Sequence, residues 1–299
     1  MSEPAPSRAV VGRSLWSDAW RRLRRNKMAV ICGAIFLVIA AACAFGPIIA
    51  GWFGLDGTTI DTMKGAVPPS SEHWLGTDVL GRDMLVRVMD GGRIAIVVAI
   101  TATSVAVVIG VSYGAAAGYA GGRTDYVMMR FVDVLYGFPT IVFIIVIQST
   151  LLANHKDNLI VLFALIGAIS WLSMARIVRG QVMSLRHREF VDAARVMGAP
   201  PRQILFKHIV PNVLGPVIVY ATLSVPFVML TEAFLSFIGL GVQAPKASWG
   251  TLVTEGSSQI VVYPWLLYGP GLVMGITIFA LNFFGDGLRD ALDPSTRKD

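Results

Sequence analysis

An all-α, polytopic membrane protein with six transmembrane helices is the fold class this sequence predicts, and three observations predict it. Apolar residues make up 55% of the chain and charged ones 15%, with a mean hydropathy of +0.65, a balance unsuited to a water-soluble globule. Six stretches reach the roughly 20 residues needed to cross a hydrocarbon core about 30 Å thick. Basic residues are divided unevenly between the segments joining those stretches.

The elements follow in chain order. Residues 1–27 divide into a Pro/Ser tail and the basic stretch SLWSDAWRRLRRNK, in which Trp16, Trp20 and Leu23 share one helical face opposite Arg21 and Arg25. That pattern suits a helix lying on the inner leaflet in contact with membrane lipid; a basic flank that merely obeys the topology rule is the other reading. The first span, residues 28–49, carries Cys32 and Cys43, about 16 Å apart along a helix and so unable to form an internal disulfide. Ala42, Cys43 and Ala44 mimic a signal-peptide cleavage site, but the apolar run continues beyond them and an anchoring span explains the same residues. Residues 50–93 form an extracytoplasmic connector, with Pro68 and Pro69 followed by HWLGTDVLGRDMLVRVMDGGR, whose Gly and Asp punctuation predicts a structured segment. A five-helix core, residues 94–284, holds spans at Ile94–Tyr119, Phe131–Leu152, Leu159–Ile177, Val213–Ile238 and Trp265–Phe284. Pro216 and Pro226 predict kinks in the span that contains them. Within the core lies a polar cytoplasmic insertion, residues 186–212, and residues 285–299 form a cytoplasmic tail.

Orientation follows from the basic residues, which are retained inside near span ends. With the N-terminus inside, 19 of the 25 Lys and Arg residues fall on cytoplasmic segments; the other side holds Lys64, Arg82, Arg87, Arg93, Lys156 and Lys246. Both termini are therefore expected in the cytoplasm. The net charge of +6 and pI near 9.5 report topology, and no nucleic-acid partner is expected.

No covalent chemistry is expected of this chain. It lacks a Gly-Lys pair, which excludes the phosphate-cradling GxxxxGK[ST] loop, it has no HExxH, and none of its serines is assigned to a nucleophile elbow. His73, His155, His187 and His208 are scattered, so neither a catalytic residue nor a metal site is assigned. Trp52, Trp74, Trp249, Tyr263 and Trp265 fall at the outer interface, where solvation alone enriches such rings, and receive no ligand.

Charges within the spans narrow the candidates, because each costs roughly 2.5–3.5 kcal/mol at the core on translocon scales. Asp133 and Glu232 are therefore candidates for the translocation pathway. Asp133 has a structural alternative, a pair with Arg130 one turn away; Glu232 lacks a basic neighbour and belongs either to an outer gate in contact with cargo or to a structural hydrogen bond. Arg82 and Asp83 either pair within a turn of the connector or contact an external binding protein.

The cytoplasmic insertion reads as a helix, turn, helix unit. Phe190, Ala193, Ala194 and Met197 put small and apolar groups on one face, flat enough for close approach. Gly198 permits a left-handed stop, Pro200 and Pro201 forbid smooth continuation, and a second helix over Arg202–His208 is expected to end before Pro211. Such a unit suits recognition in which a partner supplies the groove.

Asp192-Ala193-Ala194, then Gly198, then His208-Ile209-Val210-Pro211 resembles the EAA loop of permease subunits of bacterial ATP-binding-cassette importers. Asp192 stands where the usual residue is Glu, His208 where it is Ile, and Val210 where it is Leu. HWLGTDVLGRD, GGRTDYVMMRFVDVLYGFPT, TEAFLSFIGLGVQAPKASWGTL and GDGLRDALDP resemble the dipeptide/oligopeptide/nickel permeases, of the type with a long outer loop after the first span. Ala244-Pro245-Lys246-Ala247 departs from the Pro-Pro-Thr-Pro run of those relatives.

The resemblance implies a type I importer permease fold in the bacterial plasma membrane. It implies a second homologous permease, two ATPase subunits that bind ATP and magnesium, an extracytoplasmic substrate-binding protein, and no cofactor on this chain. Glu189, Asp192, Ala193, Ala194, Arg195, Gly198 and Pro211 would couple the membrane domain to the ATPases. Peptides or a chemically similar cargo are implied, and dipeptides, longer peptides, glutathione, opines and nickel chelates all fit the resemblance. The competing reading is an ion-driven secondary carrier without ATPase partners, which would place paired acidic groups or broken helices near the midplane.

Overall fold

The computed structural model describes residues 15–150 and 159–293. The Pro/Ser tail, Leu152 at the end of the expected third span, His155, Lys156, and Pro294 with the residues after it lie outside the described residues. Apart from one isolated bridge between Thr77 and Asp83, the regular structure among the described residues is helical.

Helix α1 (Leu15–Arg25) is set off from α2 (Lys27–Trp52) by Asn26, whose extended backbone and side-chain oxygen cap the amide of Ala29 at 3.2 Å. Leu23 packs on Ala29 and Ala291, while Trp20 is exposed and stacks with Arg24. The shared Trp20 and Leu23 face expected from the sequence is thus divided, because Leu23 is taken up by the end of the last helix. Cys32 and Cys43 are buried and unbridged.

Helix α3 (Met84–Ala120) begins ten residues before the expected span, capped by Asp83, whose carboxylate accepts from the Val86 amide at 3.0 Å. At 37 residues it is roughly 56 Å long, more than the bilayer core requires, so its first turns belong to the connector. Gly91 and Gly92 lie in those turns because other groups press on them: a Cβ on Gly92 would stand 2.5 Å from the Trp249 ring.

Beside α3 runs α6 (Leu159–Leu185), in a seam of small residues. Gly110, Gly114 and Gly118, one per turn, meet Met174, Ala175 and Arg179; a Cβ on Gly167 would stand 2.6 Å from the Ala102 carbonyl oxygen. Apolar lipid offers no hydrophobic drive for helix association, so backbone-close packing of this kind supplies it.

The expected third span is not one helix. It is α4 (Gly122–Tyr136) and α5 (Thr140–Thr150), which meet at 81° across Gly137, Phe138 and Pro139. Pro139 bars Phe138 from helical geometry and lacks the amide that would continue the ladder. Among the described residues, five other helices, α2, α3, α6, α9 and α11 (Trp265–Leu292), are long and apolar enough to cross a membrane.

After α6 come α7 (Glu189–Val196) and the single turn α8 (Pro201–Gln203). The expected second helix ending before Pro211 is corrected: a π-turn, Ile204–Ile209, runs directly into α9 (Val210–Phe237). A proline ring clashes with the carbonyl four residues back, and a widened turn removes the clash without breaking the rod. Pro216 and Pro226 also lie inside α9. Helix α10 (Trp249–Ser258) then packs between α9 and α11.

Two apolar clusters anchor opposite ends of α3. One gathers Met84, Val88, Val98, Phe163, Leu235, Trp249 and Leu252 near the connector; the other gathers Ala115, Val178, Val182, Val191, Ala194, Ile204, Ile209 and Val213 beneath α7.

Candidate functional site

Helix α7 carries acidic residues, Glu189 and Asp192, in its first turn and Arg195 in its last, matching the helix dipole at both ends. Its stop is a Schellman motif: the Ala199 amide bonds the Ala194 carbonyl at 3.1 Å and the Gly198 amide bonds Arg195 at 3.0 Å. Gly198 holds a φ of 81°, with open space where a side chain would project, so the backbone conformation alone selects glycine there.

Val191 and Ala194 are 0% and 1% exposed and lock one side of α7 onto α6 and the π-turn. Ala194 was expected on the docking face with Ala193; it faces inward instead, because the core takes the edge defined by the three-residue step from Val191. The outward face presents Glu189, Asp192, Ala193 and Val196, with Phe190 and Met197 at its margins. Asp192 and Arg195 pair at 2.7 Å on that face; both are exposed, so the pair contributes at most about 1 kcal/mol and remains available to a partner. Pro211 is exposed where the π-turn hands over to α9.

At the other end the connector is tied down by its own polar residues. The buried Asp78 accepts from Arg82 Nε and Arg87 Nη1, each at 2.7 Å, and Arg87 reaches Glu255 of α10 at 2.9 Å. Arg82 and Asp83 do not pair with each other, since the turn between them directs Arg82 to Asp78 and Asp83 to His73 Nδ1 at 2.7 Å. Trp249 is corrected from an interfacial ring to a core one: it is 0% exposed and its indole donates to the Val88 carbonyl at 2.8 Å.

Glu232 is 1% exposed. Its Oε1 accepts from Ser236 Oγ at 2.7 Å and Ser248 Oγ at 2.6 Å, and Ser248 also caps α10. In this conformation Glu232 faces protein and not open space. Asp133, by contrast, is half-exposed, 2.7 Å from Arg176 Nη2 and 3.8 Å from Arg130 Nη1. Arg176 was missed from the sequence, as was the pair of Arg179 with Asp125 on the same two helices. The available signal was two arginines three residues apart, Arg176 and Arg179, on either side of the expected span end at Ile177.

Comparison with known proteins agrees with these features. Residues 106–298 match the family described as binding-protein-dependent transport system inner membrane component, and residues 14–66 match the N-terminal TM domain of oligopeptide transport permease C. The oligopeptide transport system permease protein OppC of Haemophilus influenzae is 49% identical over 96% of this chain and 90% of its own length. The protein of the same description from Escherichia coli K12 is 48% identical over 96% of this chain and 94% of its own. The dipeptide transport system permease protein DppC of Bacillus subtilis is 41% identical over 95% and 87%. Matches spanning both ends of the chain leave no place for the ion-driven carrier. The chain belongs to the family of inner membrane components of binding-protein-dependent transport systems, the permease subunits of ATP-binding-cassette importers.

Proposed function

We propose that this chain imports peptides as one half of a translocation pathway shared with a second, related permease, driven by two ATPase subunits and fed by an extracytoplasmic binding protein. Helix α7 is the observation that carries the reading: its inner face is fixed to α6 and the π-turn, while its outer face exposes Ala193 and Val196 beside the charged groups of Glu189, Asp192 and Arg195. A helix held this way passes on a push. ATP and magnesium bind to the ATPase subunits, no cofactor is held by this chain, and closure of those subunits moves α7 and, through the π-turn and Pro211, the head of α9. Two arrangements of the bundle then exchange, each favoured by a different ligand.

Peptide cargo is supported by the descriptions of the relatives, two named for oligopeptides and one for dipeptides. The same reading sets the chain in a bacterial plasma membrane with both termini in the cytoplasm and the basic face of α1 on inner-leaflet lipid. Asp133 stays a pathway residue on the open face of α4. Glu232 acts in the pathway through α10, which it holds to α9. Arg82 and Asp83 shape the connector, and the binding protein meets exposed residues beside them such as Met63 and Trp74.

The test is a reconstituted importer carrying Ala193→Arg or Gly198→Val. Ala193 is exposed, so arginine there disturbs docking without touching the core, whereas valine at Gly198 is forced into a conformation that costs about 1–2 kcal/mol or more. Both variants should insert normally, lose co-purifying ATPase subunits and drop peptide uptake about ten-fold or more. Survival of uptake and of peptide-stimulated ATP hydrolysis in both would overturn the docking assignment.

A further inference from the structure

Two ion-pair rungs tie α4 to α6, and they are built differently. In the rung nearer the α3–α4 turn, Arg179 Nε and Nη2 stand 2.5 and 2.6 Å from the two oxygens of Asp125, a forked pair whose carboxylate is buried. The second rung is open. Asp133 takes Arg176 at 2.7 Å and Arg130 at 3.8 Å, and the three side chains keep 47%, 44% and 60% of their surface exposed. Two guanidinium groups against one carboxylate leave a surplus positive charge, and among the described residues neither has another acidic partner within ion-pairing reach.

Aromatic rings hold both arginines in place. The Tyr136 ring lies 4.1 Å from the Arg176 guanidinium carbon, and its hydroxyl is hydrogen-bonded to Ser173. The Tyr126 ring lies 5.1 Å from that of Arg130 and its hydroxyl accepts from Nη2 at 3.0 Å. Stacking fixes a guanidinium plane while leaving its edge free for a planar acceptor. Immediately after Tyr136 the chain turns through 81° into α5, so the cluster sits at a vertex and not within an unbroken wall. Both arginines belong to the cytoplasmic side by the charge count, so the exposed face they share opens on the inner mouth of a water-filled path or on another protein surface.

We infer that Arg176 and Arg130 form a carboxylate-binding station on the translocation path, which takes the C-terminal carboxylate of a passing peptide in exchange with Asp133. The inference rests on the peptide reading above and names the chemistry of one step along it. Asp133 is a resident stand-in for the cargo group: an arriving carboxylate first engages the loosely held Arg130, then competes for Arg176, and Asp133 reclaims both as the peptide leaves. Exchange of one carboxylate for another keeps the station occupied throughout, so cargo is neither repelled by a bare cation nor trapped by one, as conduction through a binding site requires. The main-chain terminus is common to all peptides, which lets such a station act on cargo of any side-chain composition.

The experiment uses the assembled importer in proteoliposomes, loaded with binding protein and ATP. Uptake of a mixture of tri- to pentapeptides with free C-termini is compared with uptake of the same mixture C-terminally amidated, for wild type, Arg176→Gln and Arg176→Lys. Arg176→Gln should cut uptake of the free acids about ten-fold relative to wild type, the loss expected for one charge-assisted hydrogen bond, while amide uptake stays within about two-fold. Arg176→Lys, which keeps the charge and loses the stacked plane, should restore only part of the acid uptake. Equal loss for acids and amides, or no loss for either, overturns the station. Failure of Arg176→Gln to assemble with the second permease overturns it in favour of a subunit contact. A wild-type complex that imports neither series overturns the peptide reading itself.

Discussion

A carboxylate with no cation beside it lies at the joint between α9 and α10. The sequence marked Glu232 as unusual because nothing basic stood near it, and left open what satisfied it. Ser236, one turn on, was within reach of a helical reading; Ser248 was not, because the loop that returns it to α9 carries no periodicity. Both hydroxyls converge on one oxygen, so the substitutions divide cleanly. Glu232→Gln keeps that acceptor and should leave peptide uptake near the wild-type rate. Glu232→Ala strands two buried hydroxyls and loosens the cap of α10, a loss of about 1–3 kcal/mol that should lower the thermal midpoint of the purified complex. A midpoint unchanged in Glu232→Ala would show that the hydroxyls find other partners. Arg176 teaches the same lesson from the other side: Asp133 was legible as a misplaced charge, but its nearest cation is 43 residues away, on a helix whose neighbours no local pattern reveals.

Elements were legible where hydropathy decided them and illegible where one backbone group did. Phe138 and Pro139 break an apolar run that by composition reads as one span, and Pro211 fails to end a helix because a π-turn absorbs its ring. The glycine seam of α3, at positions 110, 114 and 118, went unread in the sequence, since small residues at a spacing of four do not say what approaches them. Its partner is the backbone of α6, which also carries Arg176 and Arg179 toward α4. Gly114→Leu should therefore push α6 away, costing about 1–3 kcal/mol as overpacking does and disturbing both rungs to α4. The check is the yield of monodisperse permease in detergent, with Gly215→Ala, at a glycine with open space around it, as the unaffected control. Equal yields for the two would mean that the seam relaxes without penalty.

At the scale of the whole molecule, the sequence placed the insertion and the connector on opposite sides through its uneven arginines, and the structure sets α7 and the connector at opposite ends of α3. What no charge count could supply is how firmly each end is bound: the connector through Thr77, Asp78 and Arg87 to α10 and α11, the insertion through Val191 and Ala194 to α6. Single cysteines at Val196 and Met63, both strongly exposed, test the sidedness in a background lacking Cys32 and Cys43. A membrane-impermeant maleimide added to intact spheroplasts should label Met63→Cys and spare Val196→Cys until the membrane is opened. The reverse pattern would invert the proposed topology. A further consequence lies in the contact of α1 with α11, where Leu23 packs on Ala291 and Arg22 donates to the Asp293 carbonyl at 3.2 Å. The opening segment emerges from the ribosome long before its seat is synthesised, so it must wait through the insertion of every intervening helix. Completion of the last turn of α11 is what releases it from waiting, which makes Ala291 and Asp293 a checkpoint for α1.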